Sequence, residues 1–261
     1  MKFNFKKKFG QNFLQDKNVI NDIVSSVDVK ENDLVIEIGP GAGALTKKLV
    51  ATGAYVLAYE IDTDLMDDLK KLENDRVKIF FEDFLKRDIL DDIKNIKYDK
   101  LYIIGNLPYY ITTPIITKII DESIQPDEMV FMVQKEVALR FSSHPKSKDY
   151  GSITVFLNYY FNVQNLFVVN RNKFYPVPNV DSAVIKFTRR EKLLDTDVIL
   201  FNKFVRDSFT FKRKNLRNNL KNYDLKKVEN ILKCIDKSLD NRAEDLSYEE
   251  FVYLTNEYYK A

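Results

Sequence analysis

Apolar residues follow two spacings along this chain, and the changes between them mark its elements. Over residues 18–27 they stand at 19, 20, 23, 24 and 27, one face of a helix. Beyond it come short dense runs rich in β-branched and aromatic residues, at 35–38, 55–61, 77–81 and 101–104. Segments of helical spacing separate these runs as far as about Gln134. That alternation predicts an α/β fold with a parallel sheet built from right-handed crossovers. In Thr112-Thr113-Pro114 a hydroxyl residue precedes proline, which marks a helix start. The run 152–160, SITVFLNYY, fits helix and strand equally. Residues 165–169 and 182–187 read as strands that close the sheet as a hairpin-like pair. After Thr188-Arg189-Arg190 the β-branched runs give way to helical patterns at 198–220, 226–234 and 247–258. The chain therefore divides near Arg190, into a catalytic α/β domain at 1–190 and a small all-α domain at 191–261.

Composition narrows the setting. With 261 residues and 45% hydrophobic content, the chain can enclose one sizeable α/β core and a small appendage. A single cysteine, Cys234, leaves no disulfide framework within the chain. The opening MKFNFKKKFG lacks the apolar core of a secretory signal, so a reduced cytoplasmic location is expected. No apolar run approaches the length of a membrane span. The lone His144, in the polar stretch SSHPKSK, reads as a solvated loop residue and offers neither a His-rich metal cluster nor a Ser-His-Asp triad. A net charge of +2 does not by itself indicate a nucleic-acid partner, but its distribution is uneven. Lys2, Lys6, Lys7 and Lys8 interleave with Phe3, Phe5 and Phe9 in a basic arm. Lys203, Arg206, Lys212, Arg213, Lys214, Arg217 and Lys221 form a second cluster on a predicted helix, with Asp207 opposing them. Such clusters neutralise phosphates, which sets affinity and salt dependence without reading sequence.

The candidate chemistry lies where the apolar runs end. The first runs into VIEIGPGAG, with glycines at 39, 41 and 43 that let the backbone turn tightly and approach a ligand with no Cβ in the way. Ala44 stands where the dinucleotide fingerprint has its last glycine, so pyrophosphate is not the expected guest. Glu60 ends the second run, roughly twenty residues beyond the first glycine, where an acid meets a nucleoside's ribose hydroxyls. The third run is followed by Glu82-Asp83-Phe84, a carboxylate for an adenine amino group and a ring for its face. The fourth passes into GNLPY at 105–109. An exocyclic purine amine is a poor nucleophile because its lone pair is delocalised into the ring, and hydrogen-bond acceptors localise that pair. The Asn106 side-chain oxygen and the Leu107 carbonyl can both accept from one amino group, Pro108 fixes the turn, and Tyr109 can stack on the base. A plain strand-ending turn with a buried tyrosine is the competing reading of those five residues taken alone.

These motifs stand in order with FGQNFL at 9–14, MVQKEVALR at 132–140, VPNVDSAVIKF at 177–187, FKRKNLRNNL at 211–220 and RAEDLSYEEF at 242–251. With them the chain resembles the class I S-adenosylmethionine-dependent methyltransferases, and among these the adenine-N6 dimethyltransferases of small-subunit ribosomal RNA. The resemblance covers nearly the whole chain. It implies a Rossmann-like, seven-stranded, mostly parallel sheet with a small C-terminal helical domain that binds rRNA. It implies a cofactor site of Asn12, Leu14, Gly39, Gly41, Glu60, Asp83 and Asn106. It also implies a target adenine held by Asn106, Leu107, Pro108 and Tyr109, with Phe174 of KFYPVP on its other face. The implied cofactor is S-adenosylmethionine and the implied partner is small-subunit rRNA or the immature small ribosomal subunit, bound by a monomer with no metal and no membrane.

In-line attack of adenine N6 on the sulfonium methyl then needs mainly orientation, which is worth about 7 kcal/mol or more in well-aligned cases. Asn106 is neutral, so the proton leaves after methyl transfer. The base must leave its stack to react, which favours a loop adenine. Three other functions share parts of this pattern: a resistance dimethyltransferase of large-subunit rRNA, a non-catalytic ribosome-assembly or transcription factor, and a small-molecule methyltransferase. Leu107 within NLPYY and the RAEDLSYEEF stretch are nearer the small-subunit enzymes, the intact Gly39, Glu60, Asp83 and Asn106 favour activity, and the basic clusters favour RNA.

Overall fold

The structure is a computed structural model that describes residues 12–108 and 111–260. Its strands are β1 (Phe13–Leu14), β2 (Leu34–Ile38), β3 (Tyr55–Tyr59), β4 (Val77–Phe80), β5 (Leu101–Asn106), β6 (Glu128–Gln134), β7 (Phe161–Val169), β8 (Phe174–Tyr175) and β9 (Ser182–Arg189). Between and after them lie α1 (Lys17–Ser25), α2 (Ala44–Val50), α3 (Met66–Leu69), α4 (Ile89–Ile93), α5 (Thr112–Asp121), α6 (Lys135–Phe141) and α7 (Ser152–Tyr160). The chain continues through α8 (Val198–Ser208), α9 (Leu216–Asn219), α10 (Leu225–Lys233) and α11 (Tyr248–Tyr259). Seven strands make one sheet in the order β4-β3-β2-β5-β6-β9-β7, while β1 and β8 form a separate antiparallel pair. The five strands from β4 to β6 are mutually parallel and β9 runs antiparallel to β6.

Every residue of β2 is buried, which is why it reads as a continuous apolar run: a central parallel strand is covered on both faces. The succession β2, β3, β4 proceeds toward one edge and β5, β6 toward the other, so the order reverses between β2 and β5. Their register pairs Ile38 with Gly105, so both strands end at one level and open a crevice beyond their carboxyl ends.

Two compact units divide the chain: Met1–Ala138 with Gln164–Arg189, and Leu139–Val163 with Arg190–Ala261. The core of the first joins Val35, Val56, Tyr102, Ile104, Val130 and Val184 beneath α1 and α2. That of the second is helical and joins Val155, Tyr159, Phe201, Phe204, Leu232 and Phe251. The division expected at Arg190 is therefore corrected for residues 139–163. The ambiguous run 152–160 is the helix α7, and its Val155 and Tyr159 are buried in the helical core rather than at the sheet.

The helical pattern expected over 198–220 is likewise interrupted. α8 ends at Ser208, and residues 211–215 are a turn that carries Lys212, Arg213 and Lys214. Asn219 holds that turn, its Oδ1 accepting from Phe211 N (2.9 Å), and the Asn215 side chain caps α9 by accepting from Asn218 N (3.2 Å). Asparagines bond locally to the backbone and so displace a continuous helix. The RAEDLSYEEF stretch contains a capping box: Ser247 N donates to Glu250 Oε2 at 2.7 Å and Glu250 N to Ser247 Oγ at 3.3 Å, starting α11.

Candidate active site

A cavity of about 310 Å³ opens at the crevice between β2 and β5, within the first unit. Its floor is the glycine turn. Gly39, Gly41 and Gly43 take φ values of +71°, +56° and +74°, the left-handed region that a side chain disfavours. At Gly41 a Cβ would also come within 2.9 Å of the Phe13 ring, so the ring of β1 lies directly over the turn. The turn is braced from β3. Glu60 is 4% exposed, and its Oε2 accepts from Gly41 N at 2.9 Å while Oε1 accepts from Asp62 N at 2.8 Å. Burial raises the Glu60 pKa, and these two donors offset part of that.

Asp83 follows β4 and caps the helical turn Phe84–Lys86, its Oδ1 accepting from Leu85 N at 3.0 Å. Phe84, the ring expected to face an adenine, lines the cavity but is mostly committed to the core, edge-on to Tyr59 at 5.5 Å. Asn12 and Leu14 also line the cavity. They reach it because β1 pairs with β8, Leu14 opposite Phe174, and because Gln15 N donates to Lys173 O at 3.0 Å. The same pairing brings Phe174, 3% exposed, into the cavity wall from more than a hundred residues away in sequence.

Asn106 ends β5. Its Nδ2 donates to the Asn12 carbonyl at 3.1 Å, which fixes the amide plane and leaves Oδ1 with no hydrogen-bond donor among the described residues. Leu107 is 1% exposed, and its N donates to Met132 O at 3.1 Å, which locks the backbone just past the strand. The Leu107 carbonyl accepts no hydrogen bond among the described residues. Pro108 O accepts from Ile111 N at 3.1 Å and closes the turn. Asn106 and Leu107 therefore bring two acceptors without a described donor to a cavity that Ile111, Ile115 and Phe174 also line. Tyr109, the expected stacking ring, lies outside the described residues, as does the arm with Lys2, Lys6, Lys7 and Lys8.

Sequence reasoning missed Phe13, Ile61 and Glu37, all of which line the cavity. Glu37 is 1% exposed inside β2, and its Oε2 has no hydrogen-bond partner. Burial pushes its pKa up to about 8, with the Glu60 charge adding to the effect and Thr46 opposing it. Its signal in the sequence is an acid between Ile36 and Ile38, in a run that is otherwise apolar. The donor set fits a nucleoside sulfonium cofactor. Glu60 keeps lone pairs for ribose hydroxyls, the turn leaves space for a close backbone approach at Gly39, and Ile61 and Phe84 supply apolar walls. Among the described residues, no group of three His, Cys, Asp or Glu side chains is placed to hold a metal, and no helix is long and apolar enough to cross a membrane.

The profile of the ribosomal RNA adenine dimethylase family matches residues 2–260. Among curated proteins, the chain is 42% identical over 255 residues to a ribosomal RNA small subunit methyltransferase A of Aster yellows witches'-broom phytoplasma, covering 96% of this chain and 94% of the relative. It is 43% identical over 269 residues to the protein of that name in Streptococcus pneumoniae (strain P1031), covering 97% and 92%. Among solved structures it resembles a dimethyladenosine transferase from Plasmodium falciparum, with a TM-score of 0.80 at 26% identity, covering 92% of this chain and 95% of that one. It also resembles the 23S rRNA methyltransferase ErmE, with a TM-score of 0.75 at 25% identity, covering 95% and 99%.

Proposed function

Because this chain belongs to the ribosomal RNA adenine dimethylase family, we propose that the crevice between β2 and β5 is where it dimethylates adenine N6, with Asn106 and the Leu107 carbonyl as the groups that make the amine reactive. The chain is an S-adenosylmethionine-dependent methyltransferase acting on small-subunit rRNA. Its targets are two adjacent adenosines in a loop near the 3′ end of that RNA, modified in the cytoplasm while the subunit matures. The cofactor, when bound, supplies an electrophilic methyl on a sulfonium centre. Glu60 would hold its ribose, Asp83 its adenine amino group, and the turn at Gly39 and Gly41 would take the close approach of its backbone-facing edge.

The observation that carries the mechanism is the clamped Asn106 amide. Its nitrogen is committed to the Asn12 carbonyl, so its oxygen cannot turn away from an amino group entering the cavity. Two neutral acceptors drawing on the two N6 protons rotate the lone pair out of conjugation and aim it along the transfer line. This interaction grows toward the transition state, so it is read in the rate rather than in binding. No strong base is required, since the amine becomes far more acidic once it carries the methyl. Phe174 would close the opposite face of the base and exclude water. Two methyl transfers to one nitrogen fit this arrangement, because after the first the Leu107 or Asn106 oxygen still has one N–H to accept.

The test is single turnover at saturating S-adenosylmethionine on an unmethylated small-subunit particle. Asn106→Ala should lower the rate by orders of magnitude, with RNA affinity little changed. Near-normal N6-dimethyladenosine formation would overturn the mechanism. Efficient methylation of large-subunit RNA instead would assign the chain to the activity named for its structural relative ErmE.

A further inference from the structure

The helical unit holds a second cavity, of about 500 Å³, bounded by Phe211, Asn222, Tyr258 and Tyr259. One wall is a closed triangle of hydrogen bonds. Lys203 Nζ donates to Asp207 Oδ2 at 2.9 Å and to the Tyr223 hydroxyl at 3.0 Å, and that hydroxyl donates to the same Asp207 oxygen at 2.6 Å. Partial burial works against the Asp207 charge, yet Tyr223 and Lys203 hold its pKa below the ordinary value, so the triangle is a settled ion pair with little net charge. The rings behind it are fixed. Buried Phe204 packs on Tyr223 at 4.9 Å and on Tyr258 at 5.7 Å, and Tyr258 receives the Asp224 N–H at 3.1 Å.

Its rim is of a different kind. Phe211 is 54% exposed, an aromatic ring held out in water. Its backbone is pinned at both ends, since Phe211 N donates to Asn219 Oδ1 and Asn219 Nδ2 returns to the Phe211 carbonyl at 3.4 Å. Lys221 lines the cavity beside it, and Lys212, Arg213 and Lys214 follow it in the turn; all four are exposed and none is in an ion pair with a described carboxylate. Cations alone would serve phosphates, and what sets Phe211 apart from the other exposed apolar side chains is its place on the wall of a cavity beside them. A pinned ring among uncompensated cations, beside a polar cavity edged by the Asn222 amide, matches a ligand with a flat π-face, a hydrogen-bonding edge and a negative charge on either side. That ligand is an unpaired nucleotide.

We propose that this cavity is an rRNA subsite that takes one extruded base, stacked on Phe211, with its flanking phosphates on Lys212, Lys214 and Lys221. The site belongs to the helical unit and makes that unit a reader of single-stranded structure as well as a phosphate clamp. The proposal rests on the rRNA reading above. Its test is titration of the full chain with unmethylated small-subunit rRNA over a series of salt concentrations, using Phe211→Ala, Phe211→Tyr and the triple replacement of Lys212, Lys214 and Lys221 by Ala. Loss of one stacked base should cost roughly tenfold to a hundredfold in affinity. Phe211→Ala should show that loss at every salt concentration with the salt slope unchanged, and Phe211→Tyr should restore binding. The triple variant should instead flatten the slope. Ultraviolet crosslinking should place a nucleotide on the peptide containing Phe211. Because the ring is exposed, thermal stability and cofactor affinity should be unaltered in both Phe211 variants. Normal affinity in Phe211→Ala, alongside a flattened slope in the triple variant, would overturn the base subsite and leave the rRNA reading standing. Normal affinity and an unchanged salt slope in every variant would overturn the base subsite and the phosphate role of these cations together.

Discussion

Glu37 lies in β2 and Glu60 just past β3; both are buried and burial raises the pKa of both, but they differ in what answers that burial. Glu60 has both oxygens occupied by backbone donors, which offset part of the burial and leave lone pairs for a ligand. Glu60→Ala should weaken cofactor binding by about 1.5–3 kcal/mol, the scale of a charged hydrogen bond, and should also loosen the turn by freeing Gly41 N. Calorimetry with S-adenosylmethionine measures the first, and unchanged affinity would remove Glu60 from the site. Glu37 has an oxygen with no partner, and burial moves its pKa from 4.5 to about 8. The unfolded chain loses this proton near the lower value, whereas the folded chain keeps it to the upper one. Folding therefore takes up a proton between them, and stability is complete below 4.5 and declines as pH rises toward about 8. The decline should approach about 1.4 kcal/mol per pH unit, and Glu37→Gln should flatten it in denaturant titrations across that window. The two acids were unequally legible. Glu60 ends an apolar run and stands out, whereas Glu37 hides within one, and nothing in the local pattern says that its strand is covered on both sides.

Strands of the central sheet were readable because double-sided burial leaves an unbroken apolar run with a polar or glycine-rich stop. The same logic fails for α7, a helix buried around much of its circumference, whose composition is that of a central strand. It fails differently at 211–215, where two asparagines bond to nearby backbone and turn a chain that helical spacing would have continued. The pairing of β1 with β8 was not legible either, since two residues per strand carry no periodicity. One element-scale contact is severe. A Cβ on Gly105 would lie 2.7 Å from the Ile38 carbonyl oxygen, which is backbone and cannot swing aside. Gly105→Ala should wedge β5 from β2, cost about 1–3 kcal/mol of stability, and shift Asn106 enough to slow methyl transfer. Gly151→Ala, where nothing lies within 4 Å of the added atom, is the matched control. Equal denaturation midpoints for the two variants would contradict this account of the β2–β5 junction.

At the scale of the whole molecule, the helical unit is assembled from two stretches of chain separated by the last strands of the sheet. A chain cut after Arg190 would keep α7 but lose Phe201, Phe204 and Phe251, which enclose Val155 and Tyr159. Such a fragment should bind the dye ANS and unfold at a lower temperature than the full chain, and a fragment with native stability and no dye binding would show that α7 does not need those partners. The discontinuity also imposes a schedule on synthesis. The ribosome releases residues 139–163 first and supplies the residues that bury them only after some forty to a hundred more have been added, at about 5–20 residues per second. For those seconds a nascent chain whose sheet strands have all been translated carries an uncovered oily helix, a stage at which a trigger-type chaperone would find its footing.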